Sequence, residues 1–97
     1  MISKIREISI GEFQLRFKEV LKAISCGYTY RITKYGIPIA EAKSEVDIKI
    51  SDITQWISSR KARMSLGELV IKARHENELI MITSSGQPRA LLRAIRY

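Results

Sequence analysis

Arg60, Lys61 and Arg63, three basic residues within four positions, are the side chains best placed to do chemistry in this 97-residue chain. The hydrophobic period predicts a helix that starts just before them, so they fall in its first turn. Positive charge there opposes the helix dipole, by roughly a few tenths of a kcal/mol per residue. A placement that is locally unfavourable points to a ligand of opposite charge, and helix N-termini already attract phosphate. The composition agrees. Seventeen Lys/Arg against ten Asp/Glu give a net charge of +7 and a pI near 9.9, and a basic surface favours polyanions, nucleic acid first. The charge is uneven: residues 1–48 hold eight basic and six acidic side chains, residues 49–97 nine and four.

Catalytic chemistry finds no such foothold. The sequence carries no paired-carboxylate, nucleophile–base or phosphate-loop pattern. Its one histidine, His75, and one cysteine, Cys26, stand far apart and make no metal-ligand spacing. The expectation is a protein that is not an enzyme, with no catalytic residues, no cofactor and no metal. A single cysteine cannot close an intrachain disulfide, which fits a reducing cytoplasm. No apolar run approaches the roughly 18 residues of a membrane span, and the N-terminus lacks a signal-peptide pattern, so no membrane partner is expected.

The elements that must position these residues occur twice. Ile8-Ser9 is matched by Ile57-Ser58 at an offset of 49, and Phe17, Glu19 and Val20 fall over Leu66, Glu68 and Leu69. After one inserted residue, Ile32-Thr33-x-x-Gly36-x-Pro38-x-Ala40 lies over Ile82-Thr83-x-x-Gly86-x-Pro88-x-Ala90. Each copy reads as strand, helix, hairpin. In the first, Ile8 and Ile10 suit a short strand, and Ser9 and Glu12 have capping-box spacing. Phe13, Phe17, Val20, Leu21 and Ile24 make one apolar helical stripe, and Gly27 stops it. Tyr28, Tyr30 and Ile32 share a strand face, Lys34-Tyr35-Gly36 turns the chain, and Pro38 demands an edge or a bulge. The second copy repeats the stripe with Ala62, Leu66, Leu69, Val70 and Ala73; Ser65 and Glu68 there suggest a break into two short helices. Between the copies, Val46–Ile50 alternates like an extra strand. Residues 51–56 read either as a helical turn capped by Ser51 or as the approach to the next strand. Trp56 is expected where the copies meet.

A unit of about 48 residues buries too little surface alone. The sequence therefore predicts an α+β fold in which two tandem strand–helix–hairpin units share one core as a single-chain pseudo-dimer. Residues 1–45 form the first repeat, 46–55 the connection and 56–97 the second repeat. The first strands and helices are expected to pack about a pseudo-twofold axis.

Each copy resembles the N-terminal domain of the Phd/YefM (prevent-host-death) antitoxins, whose unit runs I-S-x-x-E-A-R-x-x-L-x-x-L-L, then I-T-R, then x-G-x-P-x-A-V-L. The first copy offers Ile8-Ser9-x-x-Glu12-Phe13-Gln14 and Ile32-Thr33-Lys34. The second offers Ile57-Ser58-x-x-Lys61-Ala62-Arg63 and Ile82-Thr83-Ser84. The resemblance implies dimerisation through this unit, binding of operator DNA as an autorepressor, and a C-terminal toxin-binding segment; here a second copy stands where that segment would begin. It also implies DNA contacts at Arg63 and Lys34, whose counterparts Gln14 and Ser84 are not basic. The expected function is sequence-specific binding of double-stranded DNA by a small transcriptional repressor, acting as a monomeric pseudo-dimer or a homodimer. Arg60, Lys61 and Lys34 would meet phosphates, with Ser9 and Ser58 as helix-start donors and Gln14 at the place matching Arg63. Arg63 would read a base, because arginine pairs bidentately with guanine. The alternative is a protein-interaction module or antitoxin that occludes a toxin or effector through its sheet or its Tyr28/Tyr30 surface.

Overall fold

Alternation of apolar residues builds the strands, and two hairpins set their register. The computed structural model describes residues 4–44 and 48–95. Six strands, β1 (Lys4–Ser9), β2 (Tyr28–Lys34), β3 (Ile37–Lys43), β4 (Gln55–Ser58), β5 (Ile80–Ser84) and β6 (Gln87–Ala94), form one mixed sheet in the order β1-β2-β3-β6-β5-β4. Four helices, α1 (Ile10–Leu15), α2 (Phe17–Ser25), α3 (Ser59–Met64) and α4 (Leu66–Glu76), complete an α+β domain. The helices pack on one face of the sheet. Phe13, Phe17, Val20, Leu21 and Ile24 meet Ala62, Leu66, Leu69, Val70 and Ala73 there, over Ile32, Ala42, Ile80, Ile82 and Leu92. Both helical stripes legible in the sequence are thus core. On the other face, Ile53, Met81 and Leu91 form a smaller cluster under Ile48 and Leu79.

The pairing in the two halves matches. β1 runs parallel to β2 from Lys4↔Tyr28 to Ser9↔Thr33, and β4 runs parallel to β5 from Gln55↔Ile80 to Ser58↔Thr83. Each hairpin carries a bulge at the same place, between Ile32 and Thr33 and between Ile82 and Thr83. Proline explains the position: Thr33 pairs with Pro38 and Thr83 with Pro88, and a residue without an N–H belongs at a break in the ladder. The two halves join at β3–β6, where Ala42 lies opposite Leu92 and Glu41 opposite Arg93. The Glu41 carboxylate accepts from Arg93 Nε at 2.7 Å.

Both turns are two residues long with positive φ throughout, 54° and 77° at Tyr35-Gly36, 52° and 75° at Ser85-Gly86. That is the signature of the turn whose twist suits a hairpin. No atom lies within 4 Å of where a Cβ at Gly86 would sit, so a side chain there meets backbone strain alone. Gly86→Ala is expected to destabilise the fold by about 1–2 kcal/mol, read as a lower urea midpoint with an unchanged m-value.

Four expectations are corrected. The first helix is not continuous: it breaks at Arg16 (φ −110°, ψ 34°), as the second breaks at Ser65 (φ −118°, ψ 24°). The backbone bonding resumes on either side of each break, where Arg16 N donates to Glu12 O at 2.9 Å and Val20 N to Arg16 O at 3.0 Å, and where Ser65 N donates to Lys61 O at 3.1 Å and Leu69 N to Ser65 O at 3.0 Å. Ser65 does not cap through its side chain; its hydroxyl donates back to Lys61 O at 2.8 Å. The first strands do not meet at the centre, because β1 and β4 are the outer edges of the sheet. Trp56 therefore lies on an edge strand, 48% exposed, while its neighbour Ile57 turns toward the core. In the connection, Val46 and Asp47 lie outside the described residues, and Ile48 and Lys49 take no regular structure. Ile50–Asp52 form a 3-10 turn with Lys49, not Ser51, at its cap. The chain then enters β4 at Gln55, pinned where Thr54 N donates to Leu79 O at 2.9 Å and Leu79 N to Thr54 Oγ1 at 3.1 Å.

Candidate nucleic-acid interface

Ser9 and Ser58 end their strands in extended backbone and cap α1 and α3. Ser9 Oγ accepts from Glu12 N at 3.1 Å, and Ser58 Oγ accepts from Lys61 N at 3.4 Å. Each short helix then runs until its last turn reaches the other. Gln14 Nε2 donates to Arg63 O at 2.9 Å, and Arg63 Nε donates to Gln14 O at 3.1 Å. The two residues stand 49 apart in sequence and exchange equivalent bonds. The exchange fixes Arg63 by its Nε. Among the described residues, Nη1 and Nη2 carry no hydrogen bond, which leaves the two-donor end of the guanidinium for another acceptor.

A cleft of about 700 Å³ opens beside this exchange, lined by Gln14, Lys18, Arg60, Arg63 and the apolar Leu15 and Met64, among others. Leu15 is 72% and Met64 77% exposed. A second groove of about 340 Å³ shares Phe17, Lys18 and Ser59 with the first and adds Lys22, Ser25 and Arg89. The two therefore form one channel. No aspartate or glutamate lines either part, and none of its five cations makes an ion pair among the described residues. Two arginines elsewhere are committed to partners of their own. The Glu19 carboxylate holds Arg16 at 2.9 Å and raises its pKa above the ordinary value. The Tyr30 hydroxyl does the same for Arg6, whose guanidinium lies 4.0 Å over the Tyr28 ring.

Of the residues singled out from sequence, Arg60, Arg63 and Gln14 share the cleft. Lys61 is exposed on α3, and Ser58 sits just before Ser59 of the channel. Lys34 and Ser9 are elsewhere, at the end of the sheet where Ser9 lies opposite Thr33; Lys34 Nζ is 5.8 Å from the Tyr35 ring. Tyr30 is buried and Tyr28 is covered by Arg6, so neither offers an open aromatic surface. Lys18, Lys22 and Arg89 were not singled out. The spacing of Lys18 and Lys22, four apart beside the apolar stripe, was a legible signal for one helix face. Arg89 carried none, because only the sheet brings the second hairpin beside α2.

Among the described residues no group of three or more His, Cys, Asp or Glu could hold a metal ion, and no helix is long and apolar enough to cross a membrane. No protein-family model, curated protein or solved structure matches the chain.

Proposed function

We propose that the chain is a single-chain pseudo-dimer of two strand–helix–hairpin units that binds double-stranded DNA as a small transcriptional repressor. One observation carries the DNA reading: a channel across the helical layer presents Arg63, Arg60, Lys18, Lys22 and Arg89 with no carboxylate on its walls. Phosphate contacts supply most of the affinity of such a surface, and base contacts supply its specificity. Arg63 is the candidate base reader, since its Nη1 and Nη2 are open while its Nε is tied to Gln14 O. The matched pairing of β1-β2-β3 and β4-β5-β6 supports the pseudo-dimer, as does the reciprocal bonding of Gln14 and Arg63. The repressor reading itself leans on the sequence motifs in which each copy resembles the Phd/YefM antitoxins, Ile8-Ser9 and Ile57-Ser58 with Ile32-Thr33 and Ile82-Thr83. Fusing the halves replaces bimolecular association by a high effective concentration.

The test is fluorescence-anisotropy binding to the DNA upstream of the chain's own gene against a scrambled duplex, at one stated salt concentration. Tight binding with a clear gap over the scramble supports a repressor; equal weak binding that salt abolishes does not. Arg63→Ala should narrow that gap by about 1–3 kcal/mol, the worth of one bidentate base contact. Gln14→Ala removes the side-chain bond to Arg63 O but keeps the backbone carbonyl that holds Arg63 Nε, so it should leave the gap intact. Equal losses on both duplexes for Arg63→Ala would remove Arg63 from the base-reading role.

Leu15 and Met64 favour the second reading, a protein-interaction module or antitoxin. Two large apolar side chains exposed at the mouth of one cleft are a feature of protein contacts. Under that reading Leu15→Ser with Met64→Ser would abolish capture of a protein encoded beside the gene, and no duplex would be preferred over its scramble.

A further inference from the structure

We infer that the chain grips a DNA duplex along one flank only, so that its binding site is directional rather than palindromic. This rests on the DNA-binding reading above and adds the path of the phosphates: Arg63, Arg60 and Lys18 in the cleft beside the contact between α1 and α3, then Lys22 and Arg89 in the groove that shares Lys18 with it. The repeat supplies an internal control, because every position on this flank has a counterpart on the other. Arg60 is matched by Gly11, Lys18 by Gly67, Lys22 by Ile71 and Arg89 by Ile39. Ser59, which lies in both parts of the channel, is matched by Ile10. Lys61 is matched by Glu12, so the exposed face of one short helix is basic where that of the other is acidic.

The counterpart flank is built differently as well as charged differently. Ile10 packs on the core there, and its Cγ2 lies 4.0 Å from where a Cβ on Gly67 would be. Ile39 is buried where Arg89 is exposed. Two cations remain on that side, Lys34 and Arg74, the counterparts of Ser84 and Ser25. Neither has a cationic neighbour at the positions matching Arg60, Lys18, Lys22 and Arg89. A phosphate backbone laid symmetrically across both flanks would meet five cations on one side and a mostly apolar surface near the centre on the other. Charge complementarity selects the first flank.

The experiment measures the salt dependence of anisotropy binding to a duplex from upstream of the gene. It compares the parent chain with two variants of exposed residues, Lys22→Ala/Arg89→Ala and Arg74→Ala. Each phosphate contact contributes about 0.9 to the slope of log affinity against log salt. The first variant is therefore expected to lower the slope by roughly 1.8 and the affinity by about 20–30-fold near 0.15 M salt. The second is expected to leave the slope within roughly 0.3 of the parent value. Strand-by-strand hydroxyl-radical footprints should show protection on one side of the base contacted by Arg63. Equal losses from the two variants, or a footprint symmetric about its centre, would overturn the one-flank assignment while leaving DNA binding intact. If the parent chain binds no duplex, the DNA reading fails first and the inference falls with it. Thermal melts of both variants separate these results from a loss of fold.

Discussion

Lys18→Glu and Arg60→Glu together are expected to lower affinity for double-stranded DNA by at least ~100-fold near 0.15 M salt, on the upstream duplex and the scramble alike. The magnitude follows from counterion release. Losing one phosphate contact costs about fivefold at that salt, so neutralising two costs about 25-fold. Reversal adds repulsion between each new carboxylate and the backbone it faces. Lys18 lies in both parts of the channel and Arg60 beside Arg63. Both are exposed and make no ion pair among the described residues. The substitutions should therefore move stability by no more than about 0.5 kcal/mol, checked by a urea titration of the same preparation. A double variant that still binds within threefold of the parent would show that the channel is not where DNA lies.

The largest expected effect on folding comes from Leu92→Ala. Leu92 is fully buried on the helical face of β6, directly opposite Ala42 where the two halves of the sheet join. Truncation there removes buried methyl groups and leaves a cavity. The neighbour is already an alanine and cannot expand to fill it. A loss of about 2–5 kcal/mol is expected. For a domain of this size each kcal/mol lowers the melting temperature by roughly 4–8 °C. Ile53→Ala, in the smaller cluster on the other face, is the comparison. Ile53 lies in the connection and packs on the sheet with no helix over it, so its site can collapse more completely and the melt should fall less. A Leu92→Ala loss no larger than that of Ile53→Ala would mean that the join between the halves is not a main source of stability.

The elements were legible because their causes are local. The apolar stripe from Phe13 to Ile24 and its repeat from Ala62 to Ala73 follow from a 3.6-residue period. The bulges follow from Pro38 and Pro88, and the turns from Gly36 and Gly86. The break at Arg16 was not legible, since nothing at Arg16 resembles a cap; it matches the break at Ser65, and both follow from packing two short helices on one sheet. The misplacement of Trp56 has a non-local cause. Which strand lies at the edge depends on which strands pair across the middle, and β3–β6 pairing leaves β4 outermost. For the candidate site, Arg60 and Arg63 could be found from their clustering. Lys18 joins them only because the helices of one half lie beside α3 of the other, and Arg89 only because the second hairpin lies against α2. A sequence read one repeat at a time does not contain that adjacency.

The pair Ala42–Leu92 bears on which half can recognise which. If each half were a separate chain using the same seam, two first halves would set Ala42 against Ala42 and leave a void. Two second halves would crowd Leu92 against Leu92. At the helical contact, two second halves would bring Arg63 to Arg63, like charge against like. The mixed pairing alone sets small against large at the sheet and places a single charged side chain at the helical contact. Under the proposed pseudo-dimer reading, the seam would discriminate non-self from self, in the way a heterodimer excludes its two homodimers. Split at the connection, the halves should sort into mixed pairs.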